Sequence, residues 1–447
     1  MNGIIARRRE FIPLIAILLI ALVAMVLCDR PLARGDGLAY FMWLDSIAGD
    51  GDMDLSNQAQ IFAHLNNYHV QQNFQNGRWF TPYPYGSALL LVPAYWLGHL
   101  VNHMGWLSVN PDYFVAHQGR PLPYSLFPMF FVNLYAILTI TFSYLCALRY
   151  VSSFPAAISA LFLFIGTPML YYATVEPFFA HVPGAFMVAL TLYLMLRWKE
   201  NPRPLLAAMA GLAAGMATLI RWHLAAIIFP MYFLFLRQRA WGALALFTFG
   251  FSAVVWHLLY TWNWMWDRPL YPLPTEIGDF GRLRHVVQVL FSGERGLFVW
   301  SPLTILALTG LIMMGRRDQV MAISMGATFL FYTIVSTFLS VDWSAGWSFG
   351  MRRMTELYPV FVIGLAYLLA DVQPSGLRHS VWALSVIFTI YSALLFVSHL
   401  NFINTSLPQG AAAWIELRHQ FFESNFHITR QVFLEHYGPW AWSRPGP

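Results

Sequence analysis

Charge is scarce in this chain, and lysine is almost missing. Asp, Glu, Lys and Arg make up only 11% of the 447 residues, and Lys199 is the single lysine. Soluble domains carry about 25% charged residues, so an ordinary water-soluble globule is excluded. Cysteine is as rare. Cys28 and Cys146 are the only two, both in or at the end of apolar runs. They read as small hydrophobes, which excludes a disulfide framework or a thiolate metal site. There is no GxSxG, HExxH, P-loop or dinucleotide fingerprint. His99 and His103 stand four apart with no third ligand nearby, which argues against zinc. No internal repeat, low-complexity tract or separate soluble domain stands out.

What remains is apolar. Hydrophobic residues make up 58% of the chain and aromatics 17%. Runs of about 20 apolar residues recur, each long enough to cross about 30 Å of hydrocarbon. Alternating ten-residue strands, the mark of a membrane barrel, are missing. The chain therefore reads as an all-α polytopic membrane protein. Its net charge of +5 comes from arginines set singly or in pairs at span ends. They form no continuous basic patch, so nucleic acid is not the expected partner. Membrane lipids are.

Eleven spans are expected, at 11–28, 124–149, 154–172, 181–197, 203–220, 222–236, 239–262, 297–314, 319–341, 354–371 and 378–400. Arg7, Arg8 and Arg9 place the N-terminus in the cytoplasm as an uncleaved signal anchor. The loops bearing Arg197, Lys199 and Arg203, then Arg237 and Arg239, then Arg316 and Arg317, then Arg378, fall on the same side. Parity then keeps the apolar segment 85–101 from crossing, so it lies along the outer surface. Residues 1–400 form the transmembrane domain, with 29–123 as a long first extracytoplasmic loop holding juxtamembrane helices. Residues 401–447 form an extracytoplasmic tail, with an amphipathic stretch at Ala411 to Phe426. All 21 acids except Glu10, Glu200, Asp318 and Asp371 fall at the outer face. That asymmetry places the chemistry there; the membrane is expected to be a bacterial cytoplasmic (inner) membrane.

Five aspartates follow the first span: Asp36, Asp45, Asp50, Asp52 and Asp54. Asp costs roughly 3 kcal/mol at a helix centre in the bilayer, so acids at the rim form either a solvated loop or a reaction centre. Asp36 lies between Gly35 and Gly37. On a helix it shares a face with Tyr40 and Trp43, with Asp45 opposite. A carboxylate among aromatics becomes more basic and suits a general base; the alternative is a helix N-cap. Asp50 and Asp52, in GDGDMDL, resemble half a calcium loop without its glycine and terminal Glu. They are candidate ligands for a divalent cation such as Mg or Mn, or members of a turn.

Glu176 and His181 share a short outer break, TVEPFFAH, as candidate substrate contacts. Arg221 in LIRWH, Arg295 in SGERGL, and Arg352 with Arg353 sit where the positive-inside pattern disfavours arginine. Guanidinium groups bind phosphate by charge-assisted, bidentate bonds; snorkelling to headgroups is the plainer role. Four on the acidic face favour a bound phosphate. Asp342, Trp343 and Trp347 lie in a Trp- and Gly-rich loop that fits either an interface belt or a sugar-stacking platform. A transporter or lipid flippase is the competing class, and a non-catalytic membrane subunit is a third reading. Transporters carry ionisable residues near mid-membrane, whereas His257 is among the few here.

Together these segments resemble the GT-C superfamily of polyprenyl-phosphate-dependent glycosyltransferases. The similarity is to the branch holding protein O-mannosyltransferases and aminoarabinose transferases. It rests on Gly35-Asp36-Gly37, DGDMDL, YPYGSALLLVPAYWLGHL, GTPMLYYATVEPFFAH, GLAAGMATLIRWH, ERGLFVWSPL and GWSFGMRRMTELYP in that order. The resemblance implies a sugar donor on a polyprenyl phosphate, an extracytoplasmic active site and inversion at the anomeric carbon. It makes Asp36 the base and leaves its partner acid among Asp45, Asp50 and Glu176. Tyr85 and His223, within the matching segments, join the substrate contacts. The acceptor is a glycan, a lipid or a protein.

Overall fold

A computed structural model describes the chain except Met1 and residues 31–32, 66–73, 76–77, 80, 106–118, 267–282, 339–347 and 407–447. The amphipathic tail expected at 411–426 lies outside the described residues.

The described residues fold almost wholly as helices. α1 spans Asn2–Cys28, α2 Asp36–Asp45 and α3 Ser56–Ile61. A π-helical turn, Ser46–Asp50, extends α2. Strands β1 (Phe74–Gln75) and β2 (Arg78–Trp79) make one tiny antiparallel hairpin. Then come α4 (Gly86–His103), α5 (Pro123–Ala147), α6 (Ser153–Gly166), α7 (Met169–Thr174), α8 (His181–Glu200) and α9 (Pro204–Ile220). α10 (Ile228–Arg237) and α11 (Trp241–Trp266) follow. Two short helices, α12 (Leu283–Phe291) and α13 (Leu297–Trp300), lead to α14 (Leu303–Met314) and α15 (Gln319–Phe338). α16 (Tyr358–Asp371) and α17 (Ser375–Ser406) complete the series.

Five helical stretches are long and apolar enough to cross a membrane: Glu10–Cys28, Pro123–Ala147, Trp241–Trp264, Arg352–Asp371 and Ser375–Leu400. Five shorter apolar ones, Ser153–Gly166, Pro204–Ile220, Trp222–Arg237, Leu303–Met314 and Gln319–Val335, sit at five more expected spans. The buried helix α8 takes the eleventh place. Three spans are less regular than expected. The one expected over 154–172 breaks at Thr167–Pro168 into α6 and α7, and that over 297–314 breaks at Ser301–Pro302 into α13 and α14. Proline lacks the N–H that would continue the ladder. The third, 222–236, opens as a 3-10 turn, Trp222–Ile227.

Glycine sets the closest helix crossings, as expected where apolar side chains gain little by leaving lipid. A Cβ on Gly310 of α14 would stand 1.9 Å from the Gly364 carbonyl of α16. A Cβ on Gly211 of α9 would stand 2.2 Å from the Phe247 carbonyl of α11.

Ion pairs and polar contacts between loops identify the two ends of the bundle. At one end Asp318, before α15, takes Lys199 from the end of α8 and Tyr150 from the α5–α6 turn. At the other, Arg34, after α1, reaches Glu176 between α7 and α8. α4 stays near this second end. Its Gly86 backs onto Leu219 and Ile220 at the end of α9, and its Gly98 onto Pro123 at the start of α5.

Candidate active site

Four chain breaks meet at the end marked by Arg34 and Glu176. α1 stops at Cys28, and the Arg30 N–H donates to the Thr174 carbonyl at 2.9 Å, tying this segment to the end of α7. Gly35 turns the chain with φ 52° and ψ −133°. That backbone is open almost only to glycine, and it aims the first turn of α2 inward. Gly37 leaves room for Phe178 and Phe179, which a Cβ would meet at 3.3 and 3.2 Å. α2 is therefore buried along its whole length, acids included.

Asp36 is 9% exposed, and its Oδ2 lies 2.6 Å from Nη2 of Arg352. The Arg352 guanidinium also sits over the Phe179 ring, 5.1 Å from the centroid. A carboxylate held beside a cation and an aromatic wall is fixed in one orientation. Gly35 heads α2 and makes no side-chain cap bond, and the Asp36 carboxylate pairs with Arg352.

Glu176 faces the same space from the short turn between α7 and α8. Its Oε1 lies 3.4 Å from Arg34 Nη2. Burial pushes its carboxyl up to about 7, against the pull of Arg34 and Arg30, with Asp36 adding to the rise. Arg295 and Arg352 both act on the Tyr172 hydroxyl, as does Glu176. Arg30, Arg34 and Arg295 all lie close enough to act on the buried His399 ring. Three polar atoms here, Nε of Arg34, Nε of Arg352 and Oε2 of Glu176, are buried without a hydrogen-bond partner among the described residues. Buried polar groups are nearly always bonded, so this concentration calls for a ligand.

Behind this layer lies a second charged knot. Glu356 is fully buried, 2.9 Å from His181 Nδ1 and 3.2 Å from Arg221 Nε, and it accepts from the Tyr332 hydroxyl at 3.2 Å. Arg221, extended between α9 and the 3-10 turn, also donates to His223 Nε2 at 3.1 Å. Tyr40 joins the two layers: its ring stacks on Tyr83 at 4.8 Å, and Asp36, Arg221, Arg352 and Glu356 all act on its hydroxyl.

The other expected site residues fall elsewhere. Asp45 has no exposure. It takes Arg120 through two bonds of 2.8 Å, Tyr95 at 2.5 Å and Gln58 at 3.2 Å. That saturated pair pins α4 and the approach to α5 onto α2. Asp50 accepts from Asn57 and Gln58, and Asp52 from Ser46 and the Asp54 N–H. They close a turn, and among the described residues no three His, Cys, Asp or Glu side chains are grouped to hold a metal. Trp43 donates to the Tyr83 carbonyl at 2.9 Å and tilts against Tyr85 at 6.0 Å, forming a wall. Arg353 acts on His223 and Tyr332, in the deeper knot. Asp342, Trp343 and Trp347 lie outside the described residues. Arg30, Arg34 and Glu356 were not expected. The two arginines sit, as Arg221 does, where the expected topology disfavours arginine, and Glu356 is an acid at the mouth of an apolar run.

No family model matches the chain, and no curated protein matches it in sequence. Solved structures do match. ArnT from Cupriavidus metallidurans, in its apo state, aligns over 92% of this chain and 72% of its own, with a TM-score of 0.51 and 15% identity. The same protein bound to undecaprenyl phosphate aligns over 92% and 69%, with a TM-score of 0.51 and 16% identity. The Archaeoglobus fulgidus oligosaccharyltransferase, apo, aligns over 98% of this chain and 61% of its own, at 0.51 and 12%. The chain has the GT-C fold. It is a multi-pass membrane protein. At these identities the likeness concerns architecture, and chemistry must come from the site.

Proposed function

We propose that this protein is an inverting glycosyltransferase of a bacterial cytoplasmic membrane. It takes a sugar from a polyprenyl-phosphate donor and passes it to an extracytoplasmic glycan, lipid or protein. The observation that carries this is a pair of buried, unpartnered guanidinium atoms, Arg34 Nε beside Glu176 and Arg352 Nε beside Asp36. Guanidinium donors without acceptors want an anion, and phosphate matches their geometry. A neighbour in fold, ArnT, was solved with undecaprenyl phosphate.

The chemistry then divides between two groups. Asp36 accepts the proton of the acceptor hydroxyl as that oxygen attacks the anomeric carbon from the face opposite the phosphate. The arginines hold the charge that develops as the C1–O bond to phosphate breaks, where preorganised charge counts most. A single base with such a charge clamp is enough for inversion; a glycosidase needs two carboxylates because its leaving group is poorer. The charged cluster of Asp36, Glu176, Arg34 and Arg352 sits at one end of the bundle and not along its middle, which favours transfer at a surface over transport through it.

The test is titration of the purified protein in nanodiscs with undecaprenyl phosphate. Saturable binding, weakened about tenfold or more by Arg34→Ala or Arg352→Ala, is the expected result. Absence of saturable binding, or binding indifferent to both arginines, would overturn the phosphate assignment.

A further inference from the structure

A second carboxylate, Glu176, lies within reach of Asp36 and Arg352, and the mechanism above leaves it idle. Glu176 has one oxygen on Arg34 and the other, Oε2, buried without a hydrogen-bond partner among the described residues. An ionised carboxylate with an unbonded buried oxygen is costly, and it would repel a phosphate. A neutral carboxyl with its proton on Oε2 has a donor to offer.

We propose that Glu176 works protonated, as a hydrogen-bond donor to the phosphate leaving group, so that ionisation of Glu176 closes the donor site. The inference rests on the polyprenyl-phosphate assignment. The groups around Glu176 fit the role from each packed element. Arg30 and Arg34 approach from the segment after α1, Asp36 from α2, and Arg352 from the 3-10 turn before α16. Tyr171 and Tyr172 of α7 carry hydroxyls within its field. His399 of α17 sits behind Tyr171, with its Nε2 3.3 Å from the Tyr171 hydroxyl. Cations predominate over acids in this ring, yet burial still holds the Glu176 carboxyl near neutrality.

The step balances. The acceptor oxygen forms its bond to C1 and its proton passes to Asp36. The C1–O bond to phosphate breaks and its electron pair stays on the phosphate oxygen. The phosphodiester monoanion thereby becomes a monoester dianion. The extra charge falls where Arg34, Arg352 and the Glu176 proton can meet it, and the Glu176 proton strengthens its bond to the oxygen as the charge grows. Near pH 6 the protonated form is abundant; above about 8 the ionised form prevails and Arg34 is neutralised by its neighbour.

The experiment compares wild type with Glu176→Gln, using undecaprenyl phosphate alone as the probe, from pH 5.5 to 8.5. Glutamine keeps a donor at every pH and cannot ionise. It also carries the same phosphate titration as wild type, so the difference between the two isolates Glu176. The expected result is that wild-type affinity falls about tenfold relative to Glu176→Gln between pH 6 and pH 8. A Glu176→Ala variant, lacking the donor, should bind weakly at pH 6. Parallel pH profiles for wild type and Gln would overturn the proposal while leaving the phosphate site intact. Loss of binding by every form at every pH would overturn the phosphate assignment and this proposal with it.

Discussion

Arg352 and Asp36 form an ion pair of 2.6 Å across the site, one from the turn before α16 and the other from the first turn of α2. The side chains are 13% and 12% exposed. A pair so withdrawn from water gains little net stability from its own attraction, but losing one partner strands the other.

Arg352→Ala should therefore lower stability by about 3 kcal/mol, and it should weaken donor binding as well. Asp36→Asn should leave donor binding near wild type and reduce transfer by about 10²–10⁴-fold, the usual worth of a positioned base. The double variant should regain much of the lost stability without regaining activity. Thermal unfolding in detergent, read beside transfer of a labelled sugar, checks all three. Normal transfer by Asp36→Asn at normal expression would remove it as the base.

The architecture was legible because apolar runs report directly on spans. Asp36 stood out because an acid between glycines at the end of a span marks a tight turn, and Gly35 supplies it with a positive φ while Gly37 makes room for Phe178 and Phe179. The arginine partner was legible as a type, since a cation at the end opposite the arginine-rich loops stands out, but not as a pairing, because Asp36 and Arg352 lie far apart in the chain. Asp45 shows the opposite case. Helical phase put it on the far face from Asp36, correctly, yet nothing in its own segment shows that Arg120 waits there. Glu356 escaped because its partners, His181, Arg221 and Tyr332, come from three distant segments.

The Asp45–Arg120 pair should behave as a fastener. Arg120→Ala leaves a fully buried carboxylate with Tyr95 and Gln58 alone. The expected loss is about 2–3 kcal/mol, reduced from the fully buried case because the Arg120 side chain is 29% exposed. Donor affinity per folded molecule should be unchanged. A variant that keeps its melting temperature but loses donor binding would instead place Asp45 in the reaction.

Glu176 gives a stability trend with a definite sign. Its carboxyl titrates at an ordinary 4.5 when unfolded and at about 7 when folded. The unfolded chain then gives up its proton first as pH rises. Stability from this group falls between about pH 4.5 and 7 and levels off above. Glu176→Gln should accordingly raise the melting temperature at pH 8, by at most about 3 kcal/mol of stability, and change it little at pH 4.5. Melting curves for the two proteins at both pH values decide it.

Glycine substitutions separate the crossings from the open helix faces. Gly364→Val places a Cβ 2.1 Å from the Ala307 carbonyl, a backbone atom with no slack. Such overpacking forces the helices apart, and the protein should fail to accumulate in the membrane fraction. Gly242→Ala meets nothing within 4 Å and should accumulate as wild type does. Quantified membrane-fraction yield is the measurement.

The side on which Asp36 works can be read with thiol labelling, since Cys28 and Cys146 are both buried and should give little background. Gln60, exposed on α3, belongs to the end that holds Asp36, and Arg316, exposed beyond α14, to the opposite end. The arginine-rich loops should face the cytoplasm. Gln60→Cys should then react with an impermeant maleimide in intact spheroplasts, and Arg316→Cys only after the membrane is opened. The reverse pattern would put the site in the cytoplasm, where an acceptor outside the membrane is beyond reach. Equal reaction at both positions without permeabilisation would show that the label crosses, and a bulkier charged maleimide then repeats the measurement.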